Sequence, residues 1–111
     1  MIAVISGTNR PGANTLSVAH VVGGMLQDVG EDTRLLNLAD LPLELFRPEA
    51  YTAKPVEFEK FQQTILDADG ILTVVPEYNG SYPGVLKYFI DMLRFPESLV
   101  DKPAAFVGLS A

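Results

Sequence analysis

Cysteine is absent from the 111 residues, and histidine occurs once, at His20. The first absence excludes disulfides, thiolate metal sites and cysteine nucleophiles, and it suits a cytoplasmic protein. The second leaves every serine without a triad partner at motif spacing and argues against a transition-metal centre. His20 itself lies in a helical stretch, where a packing or surface role is expected. Positive charge is scarce: 8 Lys and Arg stand against 14 Asp and Glu, for a net charge of -6. Such a chain lacks the basic excess that neutralising a nucleic-acid backbone needs, so no nucleic-acid partner is expected. No apolar run approaches the roughly 20 residues that a bilayer requires, so no membrane partner is expected either. Met1-Ile2-Ala3-Val4 carries no basic n-region, so no secretory leader is expected. Repeats and low-complexity tracts are missing as well. At 48% hydrophobic residues the composition excludes a disordered segment, and the length fits one domain.

What is present alternates. Residues 2–6 form a short, partly β-branched apolar run closed by Gly7, as expected of a strand buried on both faces. Residues 8–14 are rich in Gly, Pro and Asn and predict a loop. Residues 15–29 predict a helix, with Asn14 or Thr15 able to cap it and Gly30 suited to its end. Leu16, Ala19, Gly23 and Leu26 share one face, widened by Val18, Val22, Met25 and Val29, so the helix is expected to pack on something as large as a sheet. Gly23-Gly24 costs about 1 kcal/mol per glycine relative to alanine, and close helix–sheet approach would account for both. A second strand is expected at 33–38, then an irregular connection over 39–53 punctuated by Pro42 and Pro48. Pro55 suits the first turn of a helix running to about residue 68, with Val56, Phe58, Phe61, Ile65 and Leu66 inward. Residues 71–75 predict a third strand, 76–83 a loop, and 84–93 a third helix with Val85, Leu86, Phe89, Ile90 and Leu93 inward. Residues 104–109 predict a fourth, buried strand.

The order βαβαβαβ implies an α/β fold: a parallel sheet with right-handed crossovers and helices on both faces. Ligands in such sheets bind at the carboxyl ends of the strands, where the strand order reverses. If strands 2 and 3 flank strand 1, the loops that begin at Gly7 and Pro76 face each other across that point.

The first loop, Ser6-Gly7-Thr8-Asn9-Arg10-Pro11-Gly12-Ala13-Asn14-Thr15, joins a strand to a helix start. Free N–H groups, the helix dipole and close backbone approach at glycine suit an anion there. Thr8, Asn14 and Thr15 add donors, and Arg10 adds a fork suited to phosphate. A P-loop would need Lys-Ser/Thr after Gly12, and a dinucleotide fingerprint would need glycine at Asn9. An ordinary glycine-rich turn with a capped helix remains the competing reading, and Arg10 weighs against it. The second loop, Pro76-Glu77-Tyr78-Asn79-Gly80-Ser81-Tyr82-Pro83-Gly84, is long and carries two aromatics and an Asn-Gly turn signal. It reads either as a surface turn or as a semi-rigid wall whose amides face a flat ligand, with Tyr78 bordering a ring.

These two stretches resemble the NAD(P)H-dependent FMN reductases, a flavodoxin-like family that includes quinone, azo-dye and chromate reductases. The first loop is similar to that family's Gly-Ser/Thr-x-Arg phosphate loop. Pro76 to Lys87, continuing to Ile90-Asp91, is similar to its Pro-Glu-Tyr-Asn signature. The resemblance implies that Thr8, Arg10, Asn14 and Thr15 hold the FMN phosphate. It implies that Pro76, Glu77, Tyr78, Asn79 and Gly80 line the ribityl chain and isoalloxazine, largely through backbone groups. It further implies NADPH or NADH as hydride donor, a small-molecule electron acceptor, and a homodimer or higher homo-oligomer. The reaction is the flavin's, so no catalytic side chain and no metal is assigned. Two departures stand out. Ala13 occupies a position that is often serine in the family. Family members also continue past the fourth strand into a third flavin-contacting loop, which Ser110-Ala111 would only begin. The expected fold is therefore a flavodoxin-like three-layer parallel sheet in the order 2-1-3-4, with the fifth strand missing and strand 4 left as an apolar edge. The single domain, 1–111, is expected to be incomplete at its C-terminus. A flavin-binding electron carrier without nicotinamide turnover, and a truncated non-catalytic α/β module, are the alternative readings. A receiver-like module would want acidic residues where Ser6-Gly7-Thr8 stand. Lys87 and Asp91 are expected to pair at i,i+4, and the acidic pairs Glu31-Asp32 and Asp67-Asp69 to be solvated.

Overall fold

A computed structural model describes residues 1–110. Ala111, half of the expected start of a third loop, lies outside the described residues. Strands β1 (Ile2–Ser6), β2 (Thr33–Asn37), β3 (Gly70–Pro76) and β4 (Ala104–Leu109) alternate with helices α1 (Asn14–Asp28), α2 (Glu59–Asp67) and α3 (Gly84–Met92). The strands make one parallel sheet in the order β2-β1-β3-β4. This is the order expected, and it follows from chain connectivity. Each crossover returns the chain to the same end of the sheet, and the reversal about β1 sends helices to both faces.

β1 shows how the apolar run serves two layers. Side chains alternate across a strand. Ala3 and Ile5 enter one core with Leu36, Ile65, Ile71, Leu86 and Phe89, while Val4 meets Ala19 and Val74 on the other face. The larger core is closed by Phe58, Phe61 and Phe89, whose ring centroids lie 6.0–6.3 Å apart. The connection into β4 is tied to α2 by polar contacts. Gln62 donates to Ser98 (2.9 Å), its carbonyl accepts from the Arg94 amide (2.8 Å), and Lys102 donates to the last-turn carbonyls of Ile65 and Leu66.

Several sequence expectations are corrected. α1 starts at Asn14 and its N-cap is Ala13, so neither Asn14 nor Thr15 caps it. Met25 and Val29 are exposed, because a single sheet covers only one side of α1. A Cβ on Gly23 would meet only Thr33 Oγ1 at 3.9 Å, and one on Gly24 would meet nothing within 4 Å. Close packing therefore does not require either glycine. The irregular connection after β2 holds three 3₁₀ turns, Leu38–Asp40, Leu43–Phe46 and Pro48–Tyr51. Pro55 precedes a 3₁₀ turn, Val56–Phe58, and α2 follows only at Glu59. Val56 and Ile90, expected inward, are exposed. β4, expected to be buried, exposes Ala104, Ala105, Phe106 and Gly108, with Phe106 at 71%. No described helix is long and apolar enough to cross a membrane.

Candidate functional site

The carboxyl ends of β1 and β3 meet through Gly7, whose amide donates to the Val74 carbonyl at 2.9 Å. A Cβ there would stand 2.7 Å from that same carbonyl oxygen, so this junction needs glycine for close approach. From Gly7 the chain climbs through Thr8 to Ala13 and enters α1. Ala13 is extended (φ -71, ψ 141) and makes no side-chain cap. The first-turn amides of a helix have no intrahelical acceptor of the i→i−4 kind; the Ala13 carbonyl takes the Leu16 amide at 3.3 Å, and the Ala13 side chain offers nothing to those of Asn14 and Thr15. The positive end of α1 is thus left open beside the exposed Arg10 guanidinium.

Opposite it, the second loop is pinned at both ends. The Glu77 amide donates to the Leu109 carbonyl at 2.9 Å. Tyr78 and Ser81 exchange both backbone bonds, Tyr78 N to Ser81 O at 2.7 Å and Ser81 N to Tyr78 O at 3.1 Å. Between them Asn79 and Gly80 both have positive φ, 51° and 78°. This is the type I′ pattern that Asn-Gly accommodates. The amides of Glu77, Tyr78 and Ser81 are spent within the protein, whereas those of Asn79 and Gly80 take no acceptor among the described residues.

A cavity of about 280 Å³ lies between the loops, lined by Arg10, Ala13, Asn14 and Thr15 on one side and Pro76, Glu77, Tyr78, Leu109 and Ser110 on the other. A shallower hollow of about 320 Å³ adjoins it across Pro76, Glu77 and Leu109, bordered by Gly80 and Tyr82. Of the predicted site residues, Arg10, Asn14, Thr15, Pro76, Glu77 and Tyr78 line the cavity, and Gly80 borders the hollow. Asn79 borders neither and stands exposed at the turn. Thr8 is buried beneath the loop, its hydroxyl 2.6 Å from the phenol oxygen of Tyr78. The tyrosine therefore reaches into the first loop rather than simply flanking its own.

The sequence reading missed Leu109 and Ser6. Leu109 enters because β4 lies beside β3, so its carboxyl end abuts the site. Ser6 is 1% exposed, its Oγ has no hydrogen-bond partner among the described residues, and it lines a 250 Å³ cavity on the β2 side with Thr8, Ser17 and Asn37, which adjoins the first across Arg10 to Asn14. A hydroxyl at the last position of β1 was the available signal. The larger groove of 380 Å³ along β2 and α2 contains no residue of either loop. Beyond the second loop, α3 carries the Lys87–Asp91 ion pair, and the Asp91 carboxylate holds the lysine pKa above its ordinary value. Tyr88 donates to the Leu45 carbonyl (2.7 Å) and stacks on Phe46 at 5.2 Å, and desolvation pushes its pKa up.

The sequence pattern of the NADPH-dependent FMN reductase family matches residues 1–111. An FMN reductase (NADPH) of Pseudomonas aeruginosa is 31% identical over 103 residues, which is 93% of this chain and 55% of the relative. A 2-hydroxy-1,4-benzoquinone reductase of a Burkholderia species is 35% identical over 113 residues, 98% of this chain and 60% of the relative. The solved structure of a flavoenzyme NAD(P)H:(acceptor) oxidoreductase from Paracoccus denitrificans shares 28% identity at a TM-score of 0.77, over 96% of this chain and 59% of that one. The chain spans little more than half the length of these relatives.

Proposed function

This chain belongs to the NADPH-dependent FMN reductase family, and from that premise we propose that it is a flavin-binding domain of an NAD(P)H oxidoreductase. The observation that carries the reading is the open N-terminus of α1, with Arg10 beside it, facing the pinned second loop across one cavity. The donor set fits a phosphomonoester: uncapped helix amides, a guanidinium and hydroxyls, with Glu77 the one carboxylate among the described lining residues. Thr8, Arg10, Asn14 and Thr15 would hold the FMN phosphate. Pro76 and Glu77 form the wall on the β3 side, and Gly80, which borders the adjoining hollow and whose amide takes no acceptor among the described residues, is the donor available for the ring system.

When bound, FMN supplies two-electron chemistry, taking hydride from NADPH or NADH and passing electrons to a quinone, azo, metal-oxyanion or free-flavin acceptor. The protein's part is to orient the cofactor and to offer fixed backbone donors where charge grows on reduction. No side chain need serve as acid or base. The exposed rings of Phe46, Tyr51 and Tyr82 beside α3 support pairing of two copies there. The absence of cysteine supports a cytoplasmic setting.

Titration with FMN, followed by steady-state NADPH oxidation with a quinone acceptor, tests the proposal. Arg10→Ala is expected to weaken FMN binding by about 1.5–3 kcal/mol, the range for a hydrogen bond to a charged group. An unchanged dissociation constant removes Arg10 from the phosphate site. Tight FMN binding with no nicotinamide turnover leaves an electron carrier.

A further inference from the structure

We propose that Tyr78 is a positioning residue that makes the second loop part of phosphate recognition, so that the site distinguishes a phosphorylated flavin from riboflavin. The inference rests on the flavin reading above and adds to it a mechanism of discrimination. Thr8 is 2% exposed. Its Oγ1 accepts the Arg10 amide at 3.2 Å and lies 2.6 Å from the Tyr78 hydroxyl. The main chain that carries Tyr78 is held in place. The bonds exchanged with Ser81 and the positive φ of Asn79 and Gly80 fix its backbone, and the Glu77 amide anchors the preceding residue to β4.

Counting protons gives the consequence. Each hydroxyl has one donor and two acceptor positions. The Thr8–Tyr78 pair holds two hydroxyl protons and spends one on the mutual bond. If Tyr78 donates, Thr8 accepts twice and keeps its own proton; if Thr8 donates, Tyr78 keeps its proton. In both arrangements one proton remains on a pair that shares cavity walls with the start of α1, Tyr78 with Asn14 and Thr15, and Thr8 with Asn14. A phosphate dianion only accepts, so it takes that proton, and the bond it forms is the charge-assisted kind. The same anion then holds the Thr8 loop directly and the Tyr78 loop through the hydroxyl pair. Riboflavin, ending in a neutral hydroxyl, offers a weaker acceptor and does not lock the two loops together. A purely structural tie would affect folding, and both ligands alike.

The test compares FMN and riboflavin affinity by fluorescence quenching in the parent, Tyr78→Phe, Thr8→Val and Thr8→Ser, with melting temperature as a fold control. Tyr78→Phe is expected to reduce FMN affinity about tenfold and to leave riboflavin affinity within about twofold. Thr8→Val should behave likewise, Thr8→Ser should restore the preference, and the double variant Thr8→Val/Tyr78→Phe should fall well short of the sum. Proportional loss of both ligands, or loss of neither, overturns the proposal. Inorganic phosphate serves as an independent probe: it should raise the melting temperature of the parent and not of Tyr78→Phe. If the parent binds no flavin but keeps a Tyr78-dependent phosphate response, the flavin reading fails and the coupling stands. If phosphate stabilises both proteins equally, or neither, the coupling fails.

Discussion

Ser6 poses the sharpest question at the scale of one residue. A buried hydroxyl without a partner carries a desolvation penalty of about 1–3 kcal/mol, and Ser6 Oγ has no partner among the described residues. Ser6→Ala removes the penalty along with one oxygen. It is expected to leave the ligand-free protein as stable or to raise its melting temperature by several degrees, measured by calorimetry. A drop of more than about 1 kcal/mol would show that the hydroxyl is satisfied in solution. Neither Ser6 nor the Thr8–Tyr78 pair was legible in the sequence as a partner or an orphan. Hydrogen-bond satisfaction is a property of neighbours, and Tyr78 lies 70 residues from Thr8. Arg10 was legible as a residue to look for at the cavity it lines, because a short glycine-rich turn supplies no local reason for an arginine.

Among the elements, the start of α1 links stability to binding. An alanine N-cap forgoes about 0.5–2 kcal/mol relative to Ser, Thr, Asp or Asn. Ala13→Asp should therefore stabilise the ligand-free protein by about that amount, since residue 13 already has the extended conformation a cap requires. The same carboxylate would occupy the helix amides and repel a phosphate, so FMN affinity should fall at least tenfold. Titration and thermal melts read the two effects separately, and an aspartate variant binding FMN as tightly as the parent would remove the helix end from the site. β1, β3 and β4 were legible because Gly7 and Pro76 near their ends and Pro103 before β4 bound the apolar runs, although Pro76 proves to be the last residue of β3. The cap was not: Ala13, Asn14 and Thr15 are adjacent, and side-chain chemistry favoured the two that turn out to be helical. The 3₁₀ turns between β2 and α2 escaped for a related reason, since turns of three or four residues have no apolar period to read.

For the whole molecule, strand position predicts local stability. β1 and β3 are each paired on both sides, whereas β2 and β4 are paired on one side only among the described residues. Hydrogen exchange should be slowest for the amides of Ile2–Ser6 and of β3 from Gly70 to Val75, and fastest, among the strands, for Ala104–Leu109. Protection of β4 equal to that of β1 would mean that something covers its exposed face in solution. The topology was legible because alternating strands and helices permit few parallel arrangements. The exposure of β4 was harder to read, since apolar composition states what a strand could bury and not what is there to bury it. The central place of β1 also has a consequence in time. Ile2 pairs with Thr33 on one side and with Gly70 on the other. At about 5–20 residues per second, the ribosome delivers β1 several seconds before β3 exists. Throughout that interval β1, made before the other three strands, can pair with β2 on one side while its β3-facing edge waits unpaired, so the nascent chain's exposure to misassociation is set by the last partner to arrive.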